Sequence, residues 1–402
     1  SSRDHHQKQE LEDNNLIVNG IEVQGMSLRD EKEKEGTEGK EEKKEKTQNE
    51  NQKEEEKETH PLSLSSIDPM CKTPTLHIVD ARPYINAVGN AFMGKGVEDC
   101  THRLWTLYFA NMENIHHVRS SLDSMLEACG KFTDHEIDEV SFDMEVNSSL
   151  WMTHLERCLV ASVHVADVLD RECEPMLIHC SDGWDRTAQL TSLGQILLDP
   201  FYRTIVGFIT LVEKEWLSFG HQFEKRNGSG IVDGNNTGSS TIGWHSNNRR
   251  KHRDERSPVF IQFLDCVHQL VHQLPTCFEF NLRFLETIAR HSSSGWYSTF
   301  RGNCEKDRQK NGGSGGPSLW DMMMRNNTKY LNVEYCRPPT SDMCTNREDY
   351  REKCVLPTIV TSCDRLQVWD ALYFGKRKRR KNRTNEDEDT TDEEVDEEIK
   401  KE

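Results

Sequence analysis

Pro175-Met176-Leu177-Ile178-His179-Cys180-Ser181-Asp182-Gly183-Trp184-Asp185-Arg186-Thr187 is the stretch that decides the fold. Pro175 to Ile178 is a short apolar run and reads as a buried strand. From Thr187 to Leu198, Leu190, Leu193 and Leu197 fall on one side of a helix. Strand, loop and helix in that order predict an α/β fold with a central, mainly parallel sheet flanked by helices.

The loop between them carries chemistry. Cys180 and Arg186 are separated by five residues. In a strand-to-helix loop the backbone N–H groups can turn inward as a nest for phosphoryl oxygens, and the helix start adds positive potential. That environment favours a thiolate, which is the nucleophilic form of cysteine. Arg186 offers a rigid donor fork for two phosphoryl oxygens. Gly183 permits a backbone conformation that a side chain hinders. Thr187 is expected to donate its hydroxyl to the Cys180 sulfur, and His179 to orient the loop. The predicted chemistry is that of a cysteine-phosphatase-like fold. Cys180 attacks phosphorus, a cysteinyl-phosphate forms, and Arg186 with the amide nest holds the transition-state charge. Two carboxylates sit inside the loop. Asp185 is favoured as proton donor or as binder of a substrate hydroxyl. Asp182 is the other candidate and can prepare the attacking water; spacing does not decide between them.

Working outward, Thr75–Val79 and Leu104–Phe109 read as further strands. His116–Glu127, Leu150–Leu169, Arg203–Phe219, Val259–Leu274 and Phe280–Ile288 have helical periodicity. Residues 1–68 are dominated by charged and amide side chains and read as a disordered segment, with a brief apolar island at Leu16–Val23. The folded domain is placed at 69–375. Within it, 227–253 is a Gly-, Ser- and Asn-rich insertion, and 376–402 is a disordered tail, basic and then acidic.

The chain of 402 residues has a formal net charge of -18, which argues against a nucleic-acid partner. Thirteen cysteines in no tight pairing read as reduced intracellular thiols. Cys336, Cys344, Cys354 and Cys363 recur at fairly even intervals. Their spacings match no tight zinc knuckle and no histidine lies nearby, so neither metal nor other cofactor is expected. No run of eighteen apolar residues offers a membrane span.

Taken whole, Cys-Ser-Asp-Gly-Trp-Asp-Arg-Thr at 180–187 resembles the phosphate loop of the myotubularin family. Asp80-Ala81-Arg82-Pro83, Asn86-Ala87-Val88, Asn114-Ile115-His116, Tyr202–Ile205, Leu211–His221 and Ser257–Leu270 extend the likeness toward its active branch. Leu366–Trp369 resembles the domain's last helix. The resemblance implies hydrolysis of the 3-phosphate of phosphatidylinositol 3-phosphate and phosphatidylinositol 3,5-bisphosphate. It also implies a cytoplasmic, peripheral protein at endosomal membranes, able to form homo- or hetero-oligomers with family members. By the same resemblance, Ser181, Asp182, Gly183, Trp184, Asp185, Arg186 and Thr187 cradle the headgroup. Asn90, Asn114 and Ile115 line the pocket, and Arg226 meets the second phosphate. The bland readings are turn residues for the two asparagines, core for Ile115 and a solvated charge for Arg226. Gln222 stands where relatives carry a basic residue, which predicts a preference for the singly phosphorylated lipid. The family's PH-GRAM domain and coiled coil have no recognisable counterpart here. Competing readings are a protein tyrosine or dual-specificity phosphatase and a non-enzymatic scaffold for active family members.

Overall fold

The computed structural model describes residues 75–92, 96–98, 104–227, 255–310, 316–339, 343–356 and 358–374, without the side chains of residues 90–92 and 310. The expected segments 1–68 and 376–402, and almost all of the insertion at 227–253, lie outside the described residues. In chain order the main elements are β1 (Leu76–Asp80), α1 (Tyr84–Phe92), β2 (Trp105–Phe109), α2 (Ile115–Thr133), α3 (Glu139–Ser148), α4 (Trp151–Asp167), β3 (Met176–His179) and α5 (Arg186–Leu198). They continue with α6 (Ile205–Val212), α7 (Phe223–Asn227), α8 (Val259–Gln273), α9 (Leu282–Ser294), α10 (Glu305–Lys310), α11 (Leu319–Arg325), α12 (Arg347–Cys354) and α13 (Asp370–Tyr373).

The described sheet has three strands in the order β2-β1-β3, and both pairings are parallel. Asp80 faces Phe109 on one side and His179 on the other, so the three carboxyl ends lie level. Parallel neighbours need crossovers, here through α1 and through α2–α4. Ligands of such sheets bind outside the carboxyl ends of the strands, and the candidate loop follows β3 there.

α5 packs on β3, α4 and α8. Its Leu190, Leu193 and Ile196 are fully buried, each worth roughly 1.5–3 kcal/mol of transfer free energy. The sequence reads α8 as one-sided, yet it is buried on every face from Val259 to Val271. Its polar residues are matched by distant partners. Gln189 Nε2 donates to Gln262 Oε1 at 2.9 Å. Asp265 accepts Trp151 Nε1 at 2.9 Å and the Tyr373 hydroxyl at 2.5 Å. Burial pushes the Asp265 carboxyl up to about 6 against the opposing effect of those bonds.

Two expectations need correction, and one helix went unread. The helix read over Arg203–Phe219 is broken into a 3-10 turn at Pro200–Arg203, α6, and a π-helical turn at Glu213–Ser218. Thr204 interrupts it by capping α6, accepting the Gly207 N–H at 2.9 Å. Leu366–Trp369 is not a helix; α13 begins at Asp370. The side chain of Gln269 grips the Gln367 backbone, accepting its N–H at 3.0 Å and donating to its carbonyl at 2.8 Å, which holds that segment non-helical. α3 is absent from the sequence reading because Val140 and Met144 are exposed and blur the periodicity of buried Phe142 and Val146.

The α6 entry carries a test. A Cβ on Gly207 would lie 1.7 Å from the Phe201 carbonyl oxygen and 2.9 Å from Thr204 Oγ1. Backbone has to move to admit it, so Gly207→Ala should cost about 3 kcal/mol in urea unfolding. A midpoint equal to wild type would contradict this packing.

Candidate active site

The loop between β3 and α5 is assembled at the end of the sheet. Cys180 is half-buried and its sulfur accepts the Gly183 N–H at 3.2 Å. Gly183 makes that turn at a φ of +86°, a left-handed conformation that favours glycine. Arg186 opens α5 and spans the loop. Its Nη1 donates to the Met112 carbonyl at 3.1 Å and its Nη2 to Ser181 Oγ at 3.2 Å. Met112 comes from the segment after β2, so two strand ends fix the guanidinium. Ser181 and Asp182 are exposed, while Trp184 is half-buried with its Nε1 lacking a hydrogen-bond partner among the described residues. The expected bond from Thr187 to Cys180 is not made. The Thr187 hydroxyl is enclosed in the first turn of α5 with no partner among the described residues, and the Gly183 amide reaches the sulfur instead.

The two loop carboxylates sit in opposite environments. Asp185 is 7 % exposed and lies against two basic side chains, Arg226 and His221. Arg226 donates Nη2 to Oδ2 at 2.7 Å and Nε to Oδ1 at 3.2 Å. His221 places Nδ1 3.0 Å from Oδ1. Burial alone would raise the Asp185 carboxyl; the hydrogen bonds and charges of His221 and Arg226 outweigh it and hold it at about 2.

Arg226 is therefore neither an open cation for a second phosphate nor a solvated charge. It is 5 % exposed, paired with Asp185, and also donates to the Glu255 carbonyl at 2.9 Å. The Arg226 backbone N–H donates to the Gln222 carbonyl at 2.8 Å, which sets the two one turn apart, with Gln222 half-buried and Arg226 buried.

Asn114 caps α2, accepting the His116 N–H at 2.9 Å. Ile115 lines a small enclosed cavity behind Arg186 and Asp185. The Asn90 side chain lies outside the described residues. Next to the loop, Asp80 takes Arg82 in a two-oxygen grip, with Nη2 to Oδ2 at 2.6 Å and Nε to Oδ1 at 2.9 Å. His179 places Nδ1 3.3 Å from the Cys180 carbonyl and Nε2 3.3 Å from Glu98. Asp80, Glu98 and His179 form the only metal-type grouping among the described residues, and both Asp80 oxygens are already engaged by Arg82. None of Cys336, Cys344, Cys354 and Cys363 belongs to such a grouping among the described residues.

A family model described as a myotubularin-like phosphatase domain matches residues 8–309. The chain belongs to the myotubularin family. Among its relatives, a myotubularin of Xenopus laevis is 40% identical over 269 residues, 66% of this chain and 41% of that protein. The human phosphatidylinositol-3,5-bisphosphate 3-phosphatase MTMR6 is 38% identical over 262 residues, 65% of this chain and 39% of its own length. Human MTMR8, which carries the same descriptive name, is 41% identical over 235 residues, 58% and 30% of the two chains. The chain thus spans about two fifths or less of the length of these relatives. The myotubularin match begins at residue 8, upstream of residue 69 where the sequence reading starts the folded domain.

Two contributors escaped the sequence reading. Met112 acts through its carbonyl, which no side-chain pattern reveals. His221 closes a segment read only as family-like; its position between Trp216 and Phe223 was a hint of burial, not of a partner in the loop.

Proposed function

We propose that this chain is an active myotubularin-type phosphatase that removes the 3-phosphate of phosphatidylinositol 3-phosphate and phosphatidylinositol 3,5-bisphosphate. The observation carrying this reading is the convergence of Cys180 Sγ, the Gly183 N–H and the Arg186 fork on one loop, with Arg186 held by Met112 and Ser181. Ser181, Asp182, Gly183 and Trp184 border the headgroup, with Asn90, Asn114 and Ile115 at its edge. The names of the relatives support the lipid substrate. The enzyme works at the cytoplasmic face of endosomal membranes, alone or with family members. Among the described residues no helix is long and apolar enough to cross a membrane.

In the first step the Cys180 thiolate attacks phosphorus in line. An S–P bond forms, the bond from phosphorus to the inositol oxygen breaks, and that oxygen takes a proton from a carboxylic acid. In the second step water attacks phosphorus and gives its proton to the same carboxylate. The S–P bond breaks and inorganic phosphate leaves. Arg186 and the loop amides hold the phosphoryl oxygens throughout. The sequence reading favours Asp185 as the donor. A carboxyl held at about 2 between Arg226 and His221 is ionised and anchored, so its role here is to fix the loop. Asp182, exposed in the same loop, carries the proton in this reading.

Phosphate release from each soluble short-chain phosphoinositide isomer tests the assignment. Release should be confined to isomers bearing a 3-phosphate. The monophosphate should be preferred, because Arg226 is committed to Asp185 and Gln222 adds no charge. Faster turnover of a phosphotyrosine peptide would favour a protein phosphatase, and no turnover of either would favour a scaffold. The positive field comes from Arg186 and backbone amides, so EDTA should leave the rate unchanged. A loss that added Mg²⁺ restores would overturn the metal-independent mechanism.

A further inference from the structure

His221 is 0 % exposed, so a lipid headgroup cannot reach it. Its Nδ1 nevertheless lies 2.8 Å from the Trp184 carbonyl oxygen and 3.0 Å from Asp185 Oδ1, two neighbouring groups of the loop. We propose that His221 is a positioning residue that pins the Trp184–Asp185 peptide so that its N–H faces the bound phosphoryl group. The inference rests on the reading of this loop as a phosphoryl site.

The stereochemistry of the peptide carries it. In a trans peptide the C=O and the following N–H point in opposite directions. Drawing the Trp184 carbonyl back onto His221 therefore turns the Asp185 N–H away from that histidine. Among the described residues no backbone carbonyl outside the regular elements accepts that N–H. The proposal assigns it to the phosphoryl group, beside the Gly183 N–H that already meets the Cys180 sulfur at 3.2 Å. A carbonyl can only accept, so Nδ1 must be the nitrogen that carries hydrogen. One N–H shared by the carbonyl and the carboxylate couples the peptide to the anchored Asp185 side chain.

The imidazole itself is fixed from several sides. It stands edge-to-face on Trp216 at 4.8 Å and on Phe223 at 4.7 Å between ring centres. Its backbone N–H donates to the Trp216 carbonyl at 2.8 Å, beyond a turn at Gly220 with φ +83°. Trp216 in turn donates Nε1 to Ser192 Oγ of α5 at 3.0 Å. The path runs from α5 through Trp216 and His221 back to the loop that starts α5. The loop is thereby braced against its own helix. The charged groups facing this ring are Asp185 and, through it, Arg226.

Three substitutions separate positioning from mere filling of space. A His221→Leu change keeps bulk and removes the donor. In His221→Asn the amide nitrogen takes the place of Nδ1, and in His221→Gln it takes the place of Nε2. On soluble phosphatidylinositol 3-phosphate, kcat should fall about 10²-fold in His221→Leu and His221→Gln. It should recover to within about tenfold of wild type in His221→Asn. A second readout needs no turnover: protection of Cys180 from iodoacetamide by inorganic phosphate. Protection should require about tenfold more phosphate in His221→Leu and His221→Gln than in wild type or His221→Asn. Should His221→Leu fail to fold, the Asn–Gln comparison decides alone. The proposal is overturned by equal losses in Asn and Gln, or by wild-type kcat in the folded Leu variant. If wild type releases no phosphate from the lipid but phosphate protection follows the expected order, the lipid reading fails and the role of His221 stands.

Discussion

Cys180→Ser should abolish phosphate release while leaving headgroup binding close to wild type. The hydroxyl of serine, unlike a thiol, is scarcely ionised at neutral pH and is a far weaker nucleophile. A loss of about 10⁴-fold or more in kcat is expected from removing the sole nucleophile. Binding should persist because its donors are elsewhere. The Arg186 fork is held by Met112 and Ser181, and backbone amides are not touched by the substitution. Arg186→Ala behaves differently. It removes the fork that spans the loop, so kcat and affinity should both fall, and Arg186→Lys should not restore them. A single ammonium cannot keep both the Met112 and the Ser181 contacts while offering two parallel donors to a phosphoryl group. The measurements are steady-state phosphate release and equilibrium binding of a soluble short-chain lipid. Appreciable turnover by Cys180→Ser would show that the sulfur is not the nucleophile, whatever the loop looks like.

The parts of this site that the sequence discloses are those whose logic is local. Strand, cysteine, glycine, arginine and helix lie within a few residues of one another, and local geometry settles their arrangement. Gly183 at positive φ and the N–H to Cys180 follow from that. What stays hidden is contact across the chain. Arg226 sits 41 positions from Asp185 in a polar-looking run, Glu224-Lys225-Arg226, that reads as surface. The residues before and after that run, Phe223 and Asn227, are themselves buried, which turns the arginine inward. His221 meets Trp184 across 37 positions through a carbonyl that every residue type possesses. α8 shows the same limit on a larger scale. Its Gln262, Asp265 and Gln269 look like a wet face until Gln189, Trp151 and Gln367 supply their partners. Periodicity separates apolar from polar positions; it does not tell a solvated polar side chain from one satisfied by a distant element.

Removing the Arg226 guanidinium should be among the most destabilising single changes in the described domain. Asp185 is nine-tenths or more enclosed, and its carboxylate depends on Arg226 for three contacts and on His221 for one. Deleting one partner of a buried pair leaves an uncompensated charge, which typically costs about 3–5 kcal/mol. Arg226→Ala should lose that amount in guanidinium unfolding at neutral pH. Asp185→Asn combined with Arg226→Met should lose clearly less than the two single changes added together, because neither charge is then stranded. The pH dependence provides a sign that ordinary packing loss does not. In wild type the Asp185 carboxyl lies at about 2, below its ordinary 3.8. Its contribution, about 2 kcal/mol, is therefore complete above the ordinary value and is lost as pH falls toward the folded one. Without Arg226, the burial that now opposes ionisation gains weight and the carboxyl rises. A raised carboxyl makes its contribution at low pH and loses it as pH increases. The stability gap between wild type and Arg226→Ala should hence widen from pH 3 to pH 7. A constant gap over that range would mean that Arg226 only fills space, and a gap under about 1 kcal/mol at neutral pH would place the pair among weak surface bridges.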